Sequence, residues 1–452
     1  MKISKIDEST SILKLAWPIF IEIFLFMLMG NIDTFMLSGY SDQGVAAVGN
    51  ANFIFGTIII IFSISATATG ILFAQYLGAN DRSKLSEIFG LSFYLNIILS
   101  IFIMIGMTFF QSQIFEWVNL PKELYPDTKA YLDISVTFVL IPAIYMVLST
   151  VLKSHGLTKI TMYMAVVLNV LNVIGNYIFL YGPFGLPILG VKGVAISTVF
   201  SRGLGLAVML YVVLKHLKYS ISPKVLRPFP KETFISLIKY GAPTAGEPIS
   251  YQLSQMVIFS YVNLLGVTVV TTRMYASMIT YFTYLGCLAI SQATQIVVGH
   301  LVGAGKEDLA EGILMRSLRK AIGITITVAL LFAFFRHQLF DIFTNDPKVI
   351  AMGGIILLID VFLEMGRVLN IVIIGGLKAA GDVNFPVAVG ILSMWGISTL
   401  GAYYFGIHLG YGLLGIWFAM GLDEVIRGII MLTRWKRGNW KGKAVFKNES
   451  NS

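Results

Sequence analysis

Charge is scarce in this chain. Only 13% of its 452 residues are Asp, Glu, Lys or Arg, against 56% hydrophobic ones. A soluble protein keeps roughly a quarter of its residues charged to cover its surface, so the apolar surplus here must face lipid. A single cysteine, Cys287, excludes a disulfide framework or a cysteine metal site and reads as a small apolar filler. The five histidines, His155, His216, His300, His337 and His408, are scattered without a nucleophile motif or metal spacing, so no enzyme is expected. Residues 1–10 lack an apolar segment with a small-residue cleavage site, and no removable signal peptide is expected. The net charge of +9 does not indicate nucleic acid, because the basic residues fall in short loops and the C-terminal tail.

What the chain has in abundance is apolar runs of about 20 residues, the length that crosses a bilayer. They centre near Leu25, Ile60, Leu99, Val139, Leu171 and Leu206, then near Gln255, Leu285, Thr325, Leu358, Met394 and Ile429. The expectation is an all-α integral membrane protein of twelve transmembrane helices, since no period-2 segments suggest a barrel. Basic residues collect in alternate loops: Arg82 and Lys84, Lys153 and Lys159, Lys215 to Lys231, Lys306 to Lys320, Lys378, and the tail including Lys447. By the positive-inside rule both termini are then cytoplasmic.

The chain also repeats itself at a shift of 225 positions. Lys14 falls on Lys239, Pro18 on Pro243, Glu22 on Glu247, Gly78-Ala79 on Gly303-Ala304, Leu152-Lys153 on Leu377-Lys378, and Gly190 on Gly415. Six spans per repeat is an even number, so the two repeats run parallel, as in many transporters. The expected organisation is an N-lobe at 1–214, a cytoplasmic linker at 215–233 stiffened by prolines, a C-lobe at 234–436 and a basic, disordered tail at 437–452.

Polar groups inside these spans are costly and are functional by default. Glu22 and Asp33 lie eleven residues apart on the first span, within about 20° of each other and about 16 Å apart along the axis. Asn169, Asn172 and Asn176 share one helical face, either to ligate a hard cation or to bond between helices. Glu364 with Arg367, and Glu424 with Arg427, have the spacing of intrahelical ion pairs. Arg202 has no acid nearby in sequence and is expected to pair across helices. Pro18 and Pro243 each precede a matched glutamate by one turn and permit a bend, or simply shape the bundle.

Several stretches resemble the multidrug and toxic compound extrusion (MATE) transporters: Gly30 to Met36, Gln75 to Ala79 with Gly299 to Gly305, Asn172 to Asn176 followed by Pro187 to Val191 and Thr198, and Leu377 to Asp382. The similarity runs from about Ile12 to Arg434. It implies two lobes forming a V in the cytoplasmic membrane, and export driven by inward H⁺ or Na⁺ flow with no other cofactor. The coupling cation carries over to Asp33, Asn172, Asn176 and Thr198, with no metal beyond a possible Na⁺ there. Glu22, Glu247 and Tyr251 are expected to line a substrate cleft for lipophilic organic cations, and a monomer is expected. A flippase for a lipid-linked saccharide is the alternative; it would line its cleft with cationic residues for pyrophosphate.

Overall fold

The computed structural model describes residues 6–445. Its α-helices are α1 Ile12–Ser38, α2 Asp42–Gly78, α3 Arg82–Trp117, α4 Tyr125–Thr137, α5 Leu140–Ser154, α6 Thr158–Tyr181, α7 Val191–Tyr211, α8 Lys231–Leu264, α9 Val267–Gly303, α10 Glu307–Phe334, α11 Arg336–Asp341, α12 Pro347–Ala379, α13 Asn384–Ser393 and α14 Gly412–Lys436. No strand occurs among the described residues. Nine helical spans there are long and apolar enough to cross a membrane, ten if α4 and α5 count as one. That pair bends by 51° at Val139, the centre expected for an unbroken span. Pro142 explains the break, because it has no N–H to donate to the carbonyl one turn back. α8 and α14 fall short of the apolar test, diluted by Gln252, Ser254 and Gln255 in one and by Asp423, Glu424 and Arg427 in the other.

The helices pack into two units whose membership cuts across the expected lobes. Unit 1 contains Ile21–Phe73 and Asp81–Gly241; unit 2 contains Ile6–Phe20, Ala74–Asn80 and the chain from Ala242 onward. Thus α1 changes unit just after Pro18, and α8 changes unit just before Pro243. Both prolines sit inside continuous helices. Unit 1 closes around Leu37, Phe62, Tyr131, Leu132 and Val194. Unit 2 closes around Ile258, Phe340, Leu357, Trp417 and Ala402.

Within unit 2 the ends of α2 and α9 meet backbone to backbone. A methyl group at Gly78 would collide with the carbonyl of His300, and one at Gly303 with the carbonyl of Gln75. Gly299 likewise sits on Ala74. Each of these positions is the other's partner under the 225 shift, so the two helix ends make one contact twice, with small residues allowing the approach.

The tail after Trp435 is not disordered over residues 437–445. Trp440 is fully buried and stacks on Trp435, with ring centroids 4.1 Å apart and planes 7° from parallel. Its indole donates to the Trp435 carbonyl at 3.0 Å. Lys441 reaches Asp308 and Glu311, Lys443 reaches Asp382, and the Val445 amide donates to Gln75 Oε1 at 2.7 Å. The lysines of the tail expected to be disordered instead find acids on α10 and after α12. Lys447 lies outside the described residues.

Candidate functional site in unit 1

Three helices of unit 1 bring the expected cation residues together. α1 supplies Asp33, α6 supplies Asn172 and Asn176, and α7 supplies Thr198; all four are buried. α6 stops at Gly182, whose left-handed backbone (φ 58) is easiest without a side chain. Gly175 then lets α7 approach closely, since a methyl there would strike Ser197. Ser197 Oγ donates to the Asn172 carbonyl at 2.8 Å and pins that approach.

The Asp33 carboxylate is held through neutral groups. Asn176 Nδ2 donates to Oδ1 at 2.5 Å, and Thr198 Oγ1 donates to Oδ2 at 3.4 Å. Asn172 Nδ2 donates to Thr198 Oγ1 at 3.0 Å, and Asn176 Nδ2 also reaches Asn172 Oδ1 at 3.4 Å. Asn176 Oδ1 is buried without a donor. Asn169 stays out of this group, donating back to the Ala165 carbonyl. The arrangement offers a carboxylate with amide and hydroxyl oxygens, the ligand type of a hard cation. No cluster of three His, Cys, Asp or Glu side chains suited to a transition metal occurs among the described residues.

Beside this site is a small cavity of about 30 Å³, lined among others by Thr198, Arg202, Tyr131, Asn52 and Ser135. Tyr131 donates to Asn52 Oδ1 at 3.2 Å. Arg202 does not make the cross-helix ion pair expected of it. No carboxylate is in ion-pair contact with it among the described residues, and its Nε is buried without a partner.

The matched glutamates have matched lysines. Glu22 accepts from Ser149 at 2.8 Å and from Thr161 at 2.7 Å, with Lys153 at 3.5 Å. Glu247 pairs with Lys378 at 2.6 Å. Lys153 and Lys378 are themselves 225 positions apart, so one ion pair is built twice. These lysines, expected in loops, lie in the last turns of α5 and α12 and reach inward. The charge that the glutamates were expected to lend a cleft is therefore offset.

In unit 2, Glu364 pairs with Arg367, and Arg427 Nη2 reaches Asp423 at 3.0 Å and Glu424 at 2.9 Å. Asn370 donates to Glu424 at 2.7 Å and Trp417 to Asp360 at 2.9 Å. Tyr251 is 44% exposed and lies within electrostatic reach of Arg367, Glu424 and Arg427. Cys287 is buried against Thr325, as a filler would be.

The sequence carried a signal for Lys153 and Lys378, since their match under the shift was visible; what it lacked was any sign that lysine and glutamate touch. Gly175, Ser149 and Thr161 carried none, being ordinary residues of apolar helices.

Comparison with known proteins agrees with this architecture. The family model MatE matches twice, at residues 18–178 and 243–404, and the two matches begin 225 positions apart. The chain belongs to the MatE family. This is a transporter family rather than an enzymatic one, and the protein is a multi-pass membrane protein. Its relatives match it over nearly their full length. The uncharacterized transporter YisQ of Bacillus subtilis is 41% identical, with 97% of this chain and 96% of that protein covered. A probable multidrug resistance protein NorM of Thermotoga maritima is 25% identical, covering 97% and 94%. A crystal structure of MATE in the bent conformation superimposes with a TM-score of 0.88 at 20% identity, covering 97% of this chain and 98% of that one. That likeness is one of fold.

Proposed function

We propose that this MatE protein is a secondary active antiporter that exports small lipophilic organic cations, driven by inward H⁺ or Na⁺ flow through Asp33. The observation that carries the reading is a buried carboxylate ringed by Asn172, Asn176 and Thr198, with no ion pair among the described residues. An isolated buried charge is costly, so a mobile cation is a fitting counter-charge. Half a turn of the Asn176 amide would exchange the N–H on Asp33 for the undonated Oδ1. A hydrogen bond would thereby become a cation ligand.

For substrate, the multidrug resistance naming of the NorM relatives supports drug export. Glu247 is the more open of the matched acids: its side chain is 17% exposed against 4% for Glu22, and it has fewer partners. Lys153, Lys378, Arg367 and Arg427, which might hold a lipid pyrophosphate, are already paired with acids, which disfavours the flippase alternative. We place the protein in the cytoplasmic membrane as a monomer with both ends inside.

Ethidium efflux from loaded proteoliposomes, under an imposed Na⁺ gradient and then an H⁺ gradient, tests the reading. One gradient should drive efflux, and Asp33→Asn should abolish it in protein that is still folded and inserted. Normal driven efflux by Asp33→Asn would sink the assignment.

A further inference from the structure

The 225 shift carries Arg202 of α7 onto Arg427 of α14, in register with Gly190 and Gly415. The two arginines have different company. Arg427 is tied to acids of its own helix, Asp423 and Glu424, at 3.0 and 2.9 Å. The same shift places Thr198 and Val199 where those acids stand. Arg202 thus keeps the position of a paired arginine without its partners, and its Nε is buried and unbonded. An unpaired arginine within a membrane span is expensive enough to need a reason.

That reason lies beyond Thr198. Thr198 and Arg202 are one turn apart on α7, and both line it. Thr198 also touches Asp33 Oδ2. Asp33 in turn has no arginine or lysine in ion-pair contact among the described residues, yet Arg202 lies within its electrostatic reach. The other titratable groups around them are Tyr131 from α4 and Tyr145 from α5, with the Glu22–Lys153 pair farther along α1. Of these, Arg202 is the one positive charge without a carboxylate of its own.

We propose that Arg202 is the resident counter-charge of Asp33, and that it yields this place to the coupling cation when the cation binds. The inference rests on the Asp33 reading above and adds a competitor to it. With the cation gone, the guanidinium stabilises the Asp33 carboxylate across Thr198. With the cation present, the two positive charges repel, and affinity for the cation is held down. Arg202 is therefore a positioning and tuning residue that need not touch the transported ion. It lets the site release its cation without leaving a bare negative charge in the membrane.

The test measures ethidium efflux from proteoliposomes against the concentration of the driving cation. Arg202→Gln should lower the half-saturating concentration about tenfold or more, the size of effect a neighbouring charge has on a carboxylate. The maximal rate at saturating cation should change far less. Arg202→Lys should stay near wild type. Val199→Glu copies Glu424 and gives Arg202 a partner on its own helix. It should shift half-saturation in the same direction while keeping the arginine, which covers the case in which Arg202→Gln fails to fold. Unchanged or raised half-saturation in folded Arg202→Gln and Val199→Glu would overturn the proposal while leaving the Asp33 reading intact. Cation-driven efflux that survives Asp33→Asn would overturn both.

Discussion

Trp440→Ala should free the C-terminal strap, and the effect should reach the end of α2. The strap is held by one large anchor and several weak ties. Trp440 is fully buried and stacked on Trp435, and truncating a buried tryptophan to alanine costs about 3–5 kcal/mol. The lysine contacts of the strap are solvent-exposed to varying degrees, Lys443 at 40% against Asp382, and such pairs are worth little. The loss is capped by the docking free energy of the strap itself, because a detached segment has nothing further to lose. Detachment also removes the Val445 amide from Gln75, which is wholly buried and donates to the Ala379 carbonyl at 2.6 Å. Gln75 is the residue whose carbonyl meets Gly303. Amide hydrogen exchange of the purified protein, followed by mass spectrometry, reads both places. Exchange should quicken in peptides spanning 437–445 and also in those spanning 74–80, while Lys441→Ala should leave both nearly unchanged. Faster exchange in the tail alone would refute the link to α2, and no change in either would refute the anchor.

Other outcomes follow from particular contacts. Gly78→Ala and Gly303→Ala should each destabilise the folded protein by several-fold more than Gly106→Ala in a thermal unfolding assay, because the first two methyls meet backbone carbonyls and the third meets nothing within 4 Å. Lys153→Met should cost about 3–5 kcal/mol by leaving Glu22 buried without its counter-charge, and adding Glu22→Gln should recover much of that; a double mutant no more stable than Lys153→Met would contradict the pairing argument. Pro18→Ala should slow ethidium efflux without weakening cation dependence, and Pro243→Ala should do less, since the helix of Pro18 also carries Asp33. Equal effects from both would leave the prolines as architecture.

Much of the fold was legible because membrane insertion imposes a length and a polarity on every span. Eleven of the twelve expected centres fall in helix, and the exception, Val139, sits where Pro142 breaks the chain. The candidate cluster was legible for a related reason: Asp33, Asn172 and Asn176 are conspicuous in apolar helices. What stayed hidden depends on how helices rotate and approach. Nothing in the sequence says that Lys153 bends inward to Glu22, or that Asn169 turns back on its own helix while Asn172 and Asn176 do not. The tail was misread because its lysines look solvated until the acids of α10 and Asp382 are placed beside them.

The duplication separates scaffold from chemistry. Where backbones touch, the two repeats agree: Ala74, Gln75 and Gly78 meet Gly299, His300 and Gly303 in one contact made twice. They agree again at the Glu22–Lys153 and Glu247–Lys378 pairs, which tie the first helix of each repeat to its own bundle. At other polar groups of the spans they part company. The shift takes Asp33 to Ile258, Asn172 to Ile397, Asn176 to Gly401 and Thr198 to Asp423. In unit 2, Glu364, Asp423 and Glu424 are each bound to an arginine on their own helix, and such a pair is fixed because removing either member strands the other. In unit 1 the acid and the arginine stand on different helices, α1 and α7, and are linked through Thr198, which touches Asp33 and lines a cavity with Arg202. A charge neutralised by a rigid partner cannot change with the transport cycle, whereas one without a partner in contact can. That difference, more than the number of acids, is why we propose unit 1 as the half of the molecule that exchanges a cation.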